Sequence, residues 1–510
     1  MKKQKQMPEA KVLMIQGTAS SAGKSVMVAA LCRIFKQDGF SVAPFKAQNM
    51  ALNSFVTAGG GEIGRAQVVQ AEAAGIAPTV DMNPVLLKPA SDTGCQVIVL
   101  GKVARNVSAH DYYLYTPDLL KTVEDALGRL RSAYDIVVME GAGSPAEINL
   151  KEREIANMRI AKMARAPVLL VGDIDRGGVY ASLVGTLELL DADERALVKG
   201  FIINKFRGDV SLIKSANDFL EKRTGVPVLG VVPYFRDIRI AQEDSVYLDE
   251  RRQGEPSGGM DIAVIRLPHI SNYDDFDPLE EAGCSVRFVT RASDLGSPRL
   301  IILPGTKSTV ADLAFLRQSG LADAVVARAA SGTPLVGICG GYQMLGKTIL
   351  DPLHVESSAT ATAGLGLLDV VTEFGPEKST RQVRARIIDG VGLLAGTTGQ
   401  ELSGYEIHMG RTRSKEKNAA IQIDAPDGSA DCADGVLNPA GTVVGSYLHG
   451  LFHNSGFLRV FLDNLRRYWG VGSAADSAAV DRDKEYDKLA ALVRQSLDIP
   501  RVYRIMEGES

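Results

Sequence analysis

The nine residues Gly17-Thr-Ala-Ser-Ser-Ala-Gly23-Lys24-Ser25 constrain this chain more than any other stretch of it. The apolar run Val12–Ile15 precedes them, and the helix-patterned run Val26–Phe35 follows directly. A strand, a glycine-rich loop and a helix in that order make a cradle for an anion. The backbone around Gly17, Thr18, Ser21, Ala22 and Gly23 and the helix N-terminus would face it. Lys24 is placed to reach the outer phosphates of ATP, and the Ser25 hydroxyl to ligate Mg²⁺. Such a loop works at the carboxyl end of a buried strand, so the chain is expected to open with a parallel α/β sheet.

The remaining sequence carries that rhythm forward. Near-continuous apolar runs at Ser41–Phe45, Ile136–Met139, Val168–Val171 and Gly200–Ile203 lack the alternation of half-exposed strands, as buried parallel strands do. The stretch Asp244–Met260 is charged and rich in Gly, Pro and Ser, and reads as a linker. The pattern then restarts at Ile262–Leu267, Val286–Thr290, Leu300–Leu303 and Leu335–Ile338, with antiparallel-type pieces at Arg384–Ile388 and Thr442–Tyr447. A chain of 510 residues is too long for one core. The expected plan is a P-loop domain over 1–245, a linker over 246–260, a second α/β domain over 261–455 and a helical extension over 456–510. In that extension Tyr486, Leu489, Leu492, Val493 and Leu497 keep helical spacing, and the expected docking surface is the second domain.

Composition removes several function classes. A net charge of −4 offers no basic field to nucleic acid. The five cysteines show no CxxC or Cys/His clustering, which argues against a zinc site or a disulfide framework and suits a reducing, cytoplasmic compartment. The apolar run before Gly17 is too short for a signal peptide, and no run reaches membrane-spanning length, so no membrane is expected as a partner.

The residues able to do chemistry fall at strand ends. Glu140 closes Tyr134-Asp-Ile-Val-Val-Met-Glu140 and is the candidate carboxylate for the metal beside Ser25. Asp173 and Asp175 end the next strand, either as a further carboxylate near the metal or as turn formers. In Thr333-Pro-Leu-Val-Gly337-Ile-Cys339-Gly340-Gly341-Tyr-Gln343 a strand runs into a cysteine, then glycines, then a helix. That sharp turn exposes the sulfur, the Gly340 N–H can help form an oxyanion hole, and the helix N-terminus favours a thiolate. His449, in Gly445-Ser-Tyr-Leu-His449-Gly-Leu-Phe452, is the candidate base for Cys339. His408 competes for that role, and Glu406 beside it is either structural or a substrate contact.

These motifs resemble known families. The loop is one residue longer than GxxxxGK[ST] and resembles that of dethiobiotin synthetase and its relatives. That likeness casts Asn204 as a base-contacting asparagine of the ATP site. Partition-type ATPases share the fold but often carry an early lysine where this chain has Ala19. The Gly337-x-Cys339-x-Gly341-x-Gln343 frame resembles class I glutamine amidotransferases, which implies roles for Gly305, Gly340 and Gln343 in the oxyanion and glutamine site. That family's triad acid stands two residues after the histidine, where this chain has Leu451, so a Cys339–His449 dyad is expected. Together with Pro44–Ser54, Glu62–Gln67 and Met82–Pro89, the two motifs are similar to the corrinoid amidases. The resemblance implies ATP- and glutamine-dependent amidation, through acyl phosphates, of the b, d, e and g carboxylates of adenosylcobyrinic acid a,c-diamide. It also implies that Lys46, Gln48 and Asn49 hold the corrinoid's carboxylates. An amidase making the a,c-diamide and a non-catalytic nucleotide switch are the alternatives.

Overall fold

The structure, a computed structural model, describes residues 9–89, 94–108, 112, 116–235, 237–241, 259–414, 419–424, 432–472 and 480–509. Six parallel strands form the first sheet, in the spatial order Val228–Pro233, Val198–Phe206, Val168–Asp173, Lys11–Gly17, Ile136–Glu140, Val42–Phe45. Their apolar side chains are buried on both faces, by helices such as Lys24–Gln37 and Thr116–Ala133. The chain leaves the central strand Lys11–Gly17 toward one edge and later returns to fill the other. The P-loop therefore opens at the topological switch point of the sheet. Between the second and third core strands lies an insertion with no counterpart in the sequence expectations. It holds a four-stranded sheet built from Gln48–Met50, Val85–Pro89, Gly94–Val99 and Lys102–Ser108, beside the hairpin Ser54–Val56/Glu62–Gly64.

The second sheet has eleven strands. Five are parallel, in the order Ser285–Val289, Asp261–Ile265, Leu300–Leu303, Leu335–Ile338, Val443–Ser446. Val443–Ser446 is parallel to Leu335–Ile338 on one side and antiparallel to Cys432–Leu437 on the other, so it joins the two kinds of pairing. Beyond it the long hairpin Val370–Ile387/Glu401–Ser414 reaches toward the first domain. Apart from Gly259 and Met260, the expected linker lies outside the described residues.

The C-terminal extension divides in two. Helix Ser455–Tyr468 buries Phe457, Phe461 and Leu465 in the core of the second domain. Helices Arg482–Ser496 and Ile499–Met506 instead pack on the first domain, which corrects the expected docking surface. Tyr486, Leu489, Val493 and Val502 share a core with Leu31 and Phe35, and each fully buried Leu or Val contributes about 1.5–3 kcal/mol. Arg33 pairs with Asp483 and Asp487, fixing the register of the contact. Helical spacing revealed an apolar face but held no information about its partner. No helix among the described residues is long and apolar enough to cross a membrane.

Candidate active sites

The P-loop turns sharply after Gly17. Gly23 sits at φ 102°, and a Cβ there would come within 2.0 Å of the Asn204 amide nitrogen, so loop and Asn204 fit only because the residue is glycine. Lys24 Nζ donates to the carbonyls of Ala19 and Gly143, both at 2.9 Å, and so spans the mouth of the loop. Asn204 Nδ2 donates to the Ala22 carbonyl at 2.9 Å, while its buried Oδ1 has no hydrogen-bond partner.

Glu140 lies at the centre of this site and is 1% exposed. Its Oε1 accepts from the Ser25 hydroxyl and from Lys46 Nζ, each at 2.8 Å, and its Oε2 accepts from Gln70. Burial pushes the Glu140 carboxyl up, but the Lys46 ammonium and these hydrogen bonds prevail and hold it below the usual range. The hydroxyl of Ser25 and the carboxylate of Glu140 are hard oxygen donors side by side, a set that suits Mg²⁺. Asp173 and Asp175 instead pair with Lys205 at 2.9 Å and Arg207 at 2.6 Å. Of the expected substrate contacts, Lys46 is paired with Glu140, and Asn49 is buried and donates to Gln67. Gln48 accepts from the Tyr112 hydroxyl. All three border a cavity of about 1470 Å³ that begins at Lys24 and Ser25 and extends to Arg65 and to Tyr273 of the second domain.

The second site forms where Leu335–Ile338 breaks at Cys339, which sits at φ 52°, ψ −109°. Positive φ is costly for a residue with a Cβ and marks a strained turn. Glycines permit the close packing around it: a Cβ on Gly341 would lie 2.0 Å from the Leu303 carbonyl, and one on Gly340 2.6 Å from Thr306 Cγ2. Gly305 lies against His449, since a Cβ there would be 2.9 Å from the ring's Cε1. Gln343 is held by Thr309 and by the Tyr447 hydroxyl.

His449 is 1% exposed and faces Cys339, whose Sγ donates to the Ile407 carbonyl at 3.6 Å. Its Nδ1 meets Asp275 Oδ2 at 2.7 Å, and the Gly450 N–H donates to Asp275 Oδ1 at 2.8 Å. The expected dyad is therefore a triad, with Asp275 in place of an acid after the histidine. Burial pushes the imidazole down, but Asp275 and then Cys339 more than offset this, and its pKa rises to about 10. The imidazolium is thus the favoured form beside the sulfur. The Tyr405 ring stacks on His449 at 5.2 Å. The competing base is otherwise engaged: His408 Nδ1 bonds the Gly410 carbonyl at 2.7 Å and its ring stacks on Tyr447. Glu406 pairs with Arg381 at 2.7 Å and lies 3.7 Å from His408 Nε2.

Asp275 escaped the sequence reading because it precedes Cys339 in the chain and sits in a 3₁₀ turn, Tyr273–Phe276. The one available signal was the acidic run Asp274-Asp-Phe-Asp277 shortly after the strand Asp261–Ile265.

Known families cover both halves of the chain. Residues 13–246 match the CobQ/CobB/MinD/ParA nucleotide binding domain, and residues 261–457 match the CobB/CobQ-like glutamine amidotransferase domain. A cobyric acid synthase of Dehalococcoides mccartyi is 59% identical, with 98% of each chain covered. One from Sorangium cellulosum is 56% identical over 97% of this chain and 98% of its own. One from Desulfitobacterium hafniense is 51% identical over 97% of both.

Proposed function

The chain belongs to the cobyric acid synthases, glutamine-dependent amide ligases of cobalamin biosynthesis, and on that premise we propose which carboxylates it amidates and how. The substrate is adenosylcobyrinic acid a,c-diamide, and the b, d, e and g carboxylates become amides to give adenosylcobyric acid. The synthetase part is 1–245 and the glutaminase part 261–455, assignments supported by the family matches over 13–246 and 261–457. The observation that carries the reading is the Cys339–His449–Asp275 constellation in the same chain as a P-loop opening into a cavity large enough for a nucleotide and a macrocycle.

Cys339 attacks the glutamine amide. His449 carries the proton to the departing ammonia, and the N–H groups of Gly340 and Gly305 face the oxyanion. In the synthetase site a carboxylate is a poor electrophile, so ATP converts it to an acyl phosphate, and ammonia attacks the acyl carbon and displaces phosphate. Ser25 and Glu140 would hold Mg²⁺, which when bound neutralises charge on the phosphates. Lys24 moves from its carbonyl contacts to the transferring phosphate, and Asn204 offers its free amide oxygen to the base. Gln48 faces the substrate directly, whereas Lys46 and Asn49 shape the wall. The test is mass spectrometry of products from a panel of corrinoid acids supplied with ATP and glutamine. Fourfold amidation of the a,c-diamide supports the assignment, and amidation only of cobyrinic acid at the a and c positions overturns it.

A further inference from the structure

The acid of the glutaminase triad sits on a turn whose other residues contact the first domain. It belongs to the segment Asn272–Asp275, whose successive residues each engage something different. Asn272, in the left-handed region at φ 54°, donates to the hydroxyl of Tyr405, the ring stacked on His449. Its Oδ1 accepts from the Ser54 N–H of the first domain, and the Tyr273 N–H donates to Asn53 Oδ1. Asp275 holds His449. Between them Asp274 lies 3.1 Å from the guanidinium of Arg65, with both side chains 4% exposed. Arg65 lies over the Phe55 ring and also borders the synthetase cavity, as does Tyr273, whereas Asp274 does not. The pair is close but poorly aligned: Arg65 Nε and Asp274 Oδ1 are buried and form no hydrogen bond. A buried charge pair with unsatisfied atoms gains from any shift that completes its hydrogen bonds.

We infer that the Arg65–Asp274 ion pair is a positioning element for the glutaminase, transmitting occupancy of the synthetase cavity to Asp275 and His449. An anionic occupant, a substrate carboxylate or a phosphate, draws the guanidinium into full alignment. Asp274 follows it, and the turn that carries Asp275 is held fast, keeping the carboxylate on His449 through the reaction. Ammonia is then released when an acceptor is present. The inference rests on the assignment of the large cavity to ATP and the corrinoid acid.

The test compares the full chain with Asp274→Asn, which keeps side-chain size but removes the charge. Glutamate release with ATP and the corrinoid acid present should fall about tenfold in kcat, the effect of one misaligned buried hydrogen bond. The KM for glutamine and ammonium-driven amidation should stay as in the parent, since Asp274 touches neither the sulfur nor the cavity. The double variant Arg65→Gln/Asp274→Asn should lose no more glutaminase than Asp274→Asn alone, as expected of residues acting as a unit. Addition of ATP without corrinoid should raise the rate of Cys339 alkylation by iodoacetamide in the parent and not in Asp274→Asn. That readout separates this inference from the substrate assignment, which fails if the parent does not amidate the corrinoid. Unchanged glutamate release and an undiminished effect of ATP on alkylation in Asp274→Asn overturn the inference. So does loss of ammonium-driven amidation in parallel, which marks a purely structural pair.

Discussion

Replacing Asp275 with asparagine tests the triad most directly. In the native site both carboxylate oxygens accept: Oδ2 from His449 Nδ1 at 2.7 Å and Oδ1 from the Gly450 N–H at 2.8 Å. Asparagine keeps the shape but has one acceptor. If its oxygen faces His449, its NH₂ opposes the Gly450 N–H; if it turns over, His449 is forced into the tautomer that cannot receive the Cys339 proton. The first arrangement strands a buried polar group, at about 1–3 kcal/mol, or up to about a hundredfold in rate, and the second removes the acceptor for the Cys339 proton. Loss of the negative charge beside the imidazolium adds to this, and the acid of a Ser-His-Asp triad is worth on the order of 10⁴-fold. A thiol is a better nucleophile than a hydroxyl, so the expected loss for Asp275→Asn lies between these limits, at roughly 10²–10³-fold in kcat for glutamate release. The assay is glutamate production at saturating ATP and corrinoid acid, with ammonium-driven amidation as the control for folding. A variant within threefold (about 0.6 kcal/mol) of the parent would mean that Asp275 does not orient His449.

Separable chemistry gives a reciprocal pair: Lys24→Ala should lose amidation from glutamine and ammonium alike while retaining part of the glutaminase, and Cys339→Ala should lose only the glutamine-driven reaction. Product assays with each nitrogen source check both. Glu62 is buried between Lys88 at 2.7 Å and Lys378 of the second domain, so Glu62→Gln should destabilise the chain by ~3–5 kcal/mol, read from urea midpoints. The folded pKa of His449 is raised from 6.5 to about 10, so its stabilising contribution is complete below pH 6.5 and is lost as pH rises toward that higher value. The difference in urea midpoint between the parent and His449→Gln should therefore narrow over that range; a constant difference would contradict the raised pKa.

How much of this could be read from the chain depended on how local each feature is. The P-loop and the Cys339 turn are fixed by neighbouring residues, Gly23 at φ 102° and Gly341 against the Leu303 carbonyl, so their roles show in consecutive letters. The contacts that join the domains are not local. Arg482–Ser496 displayed an apolar stripe but not the surface it covers, and the 48–108 insertion carried motifs without a pattern that revealed its small sheet. The triad acid shows the same limit. A carboxylate can reach His449 Nδ1 from any element that folds beside it, so its position in the sequence is free even though its position in space is not. Here it arrives on a turn 174 residues away that also touches the first domain. Leu451, relieved of that duty, is 2% exposed and packs in the same core as Phe452 and Phe457. Asp275 belongs to the same domain as Cys339 and His449, but it stands on the turn that meets the first domain, where the state of one site can bear on the other.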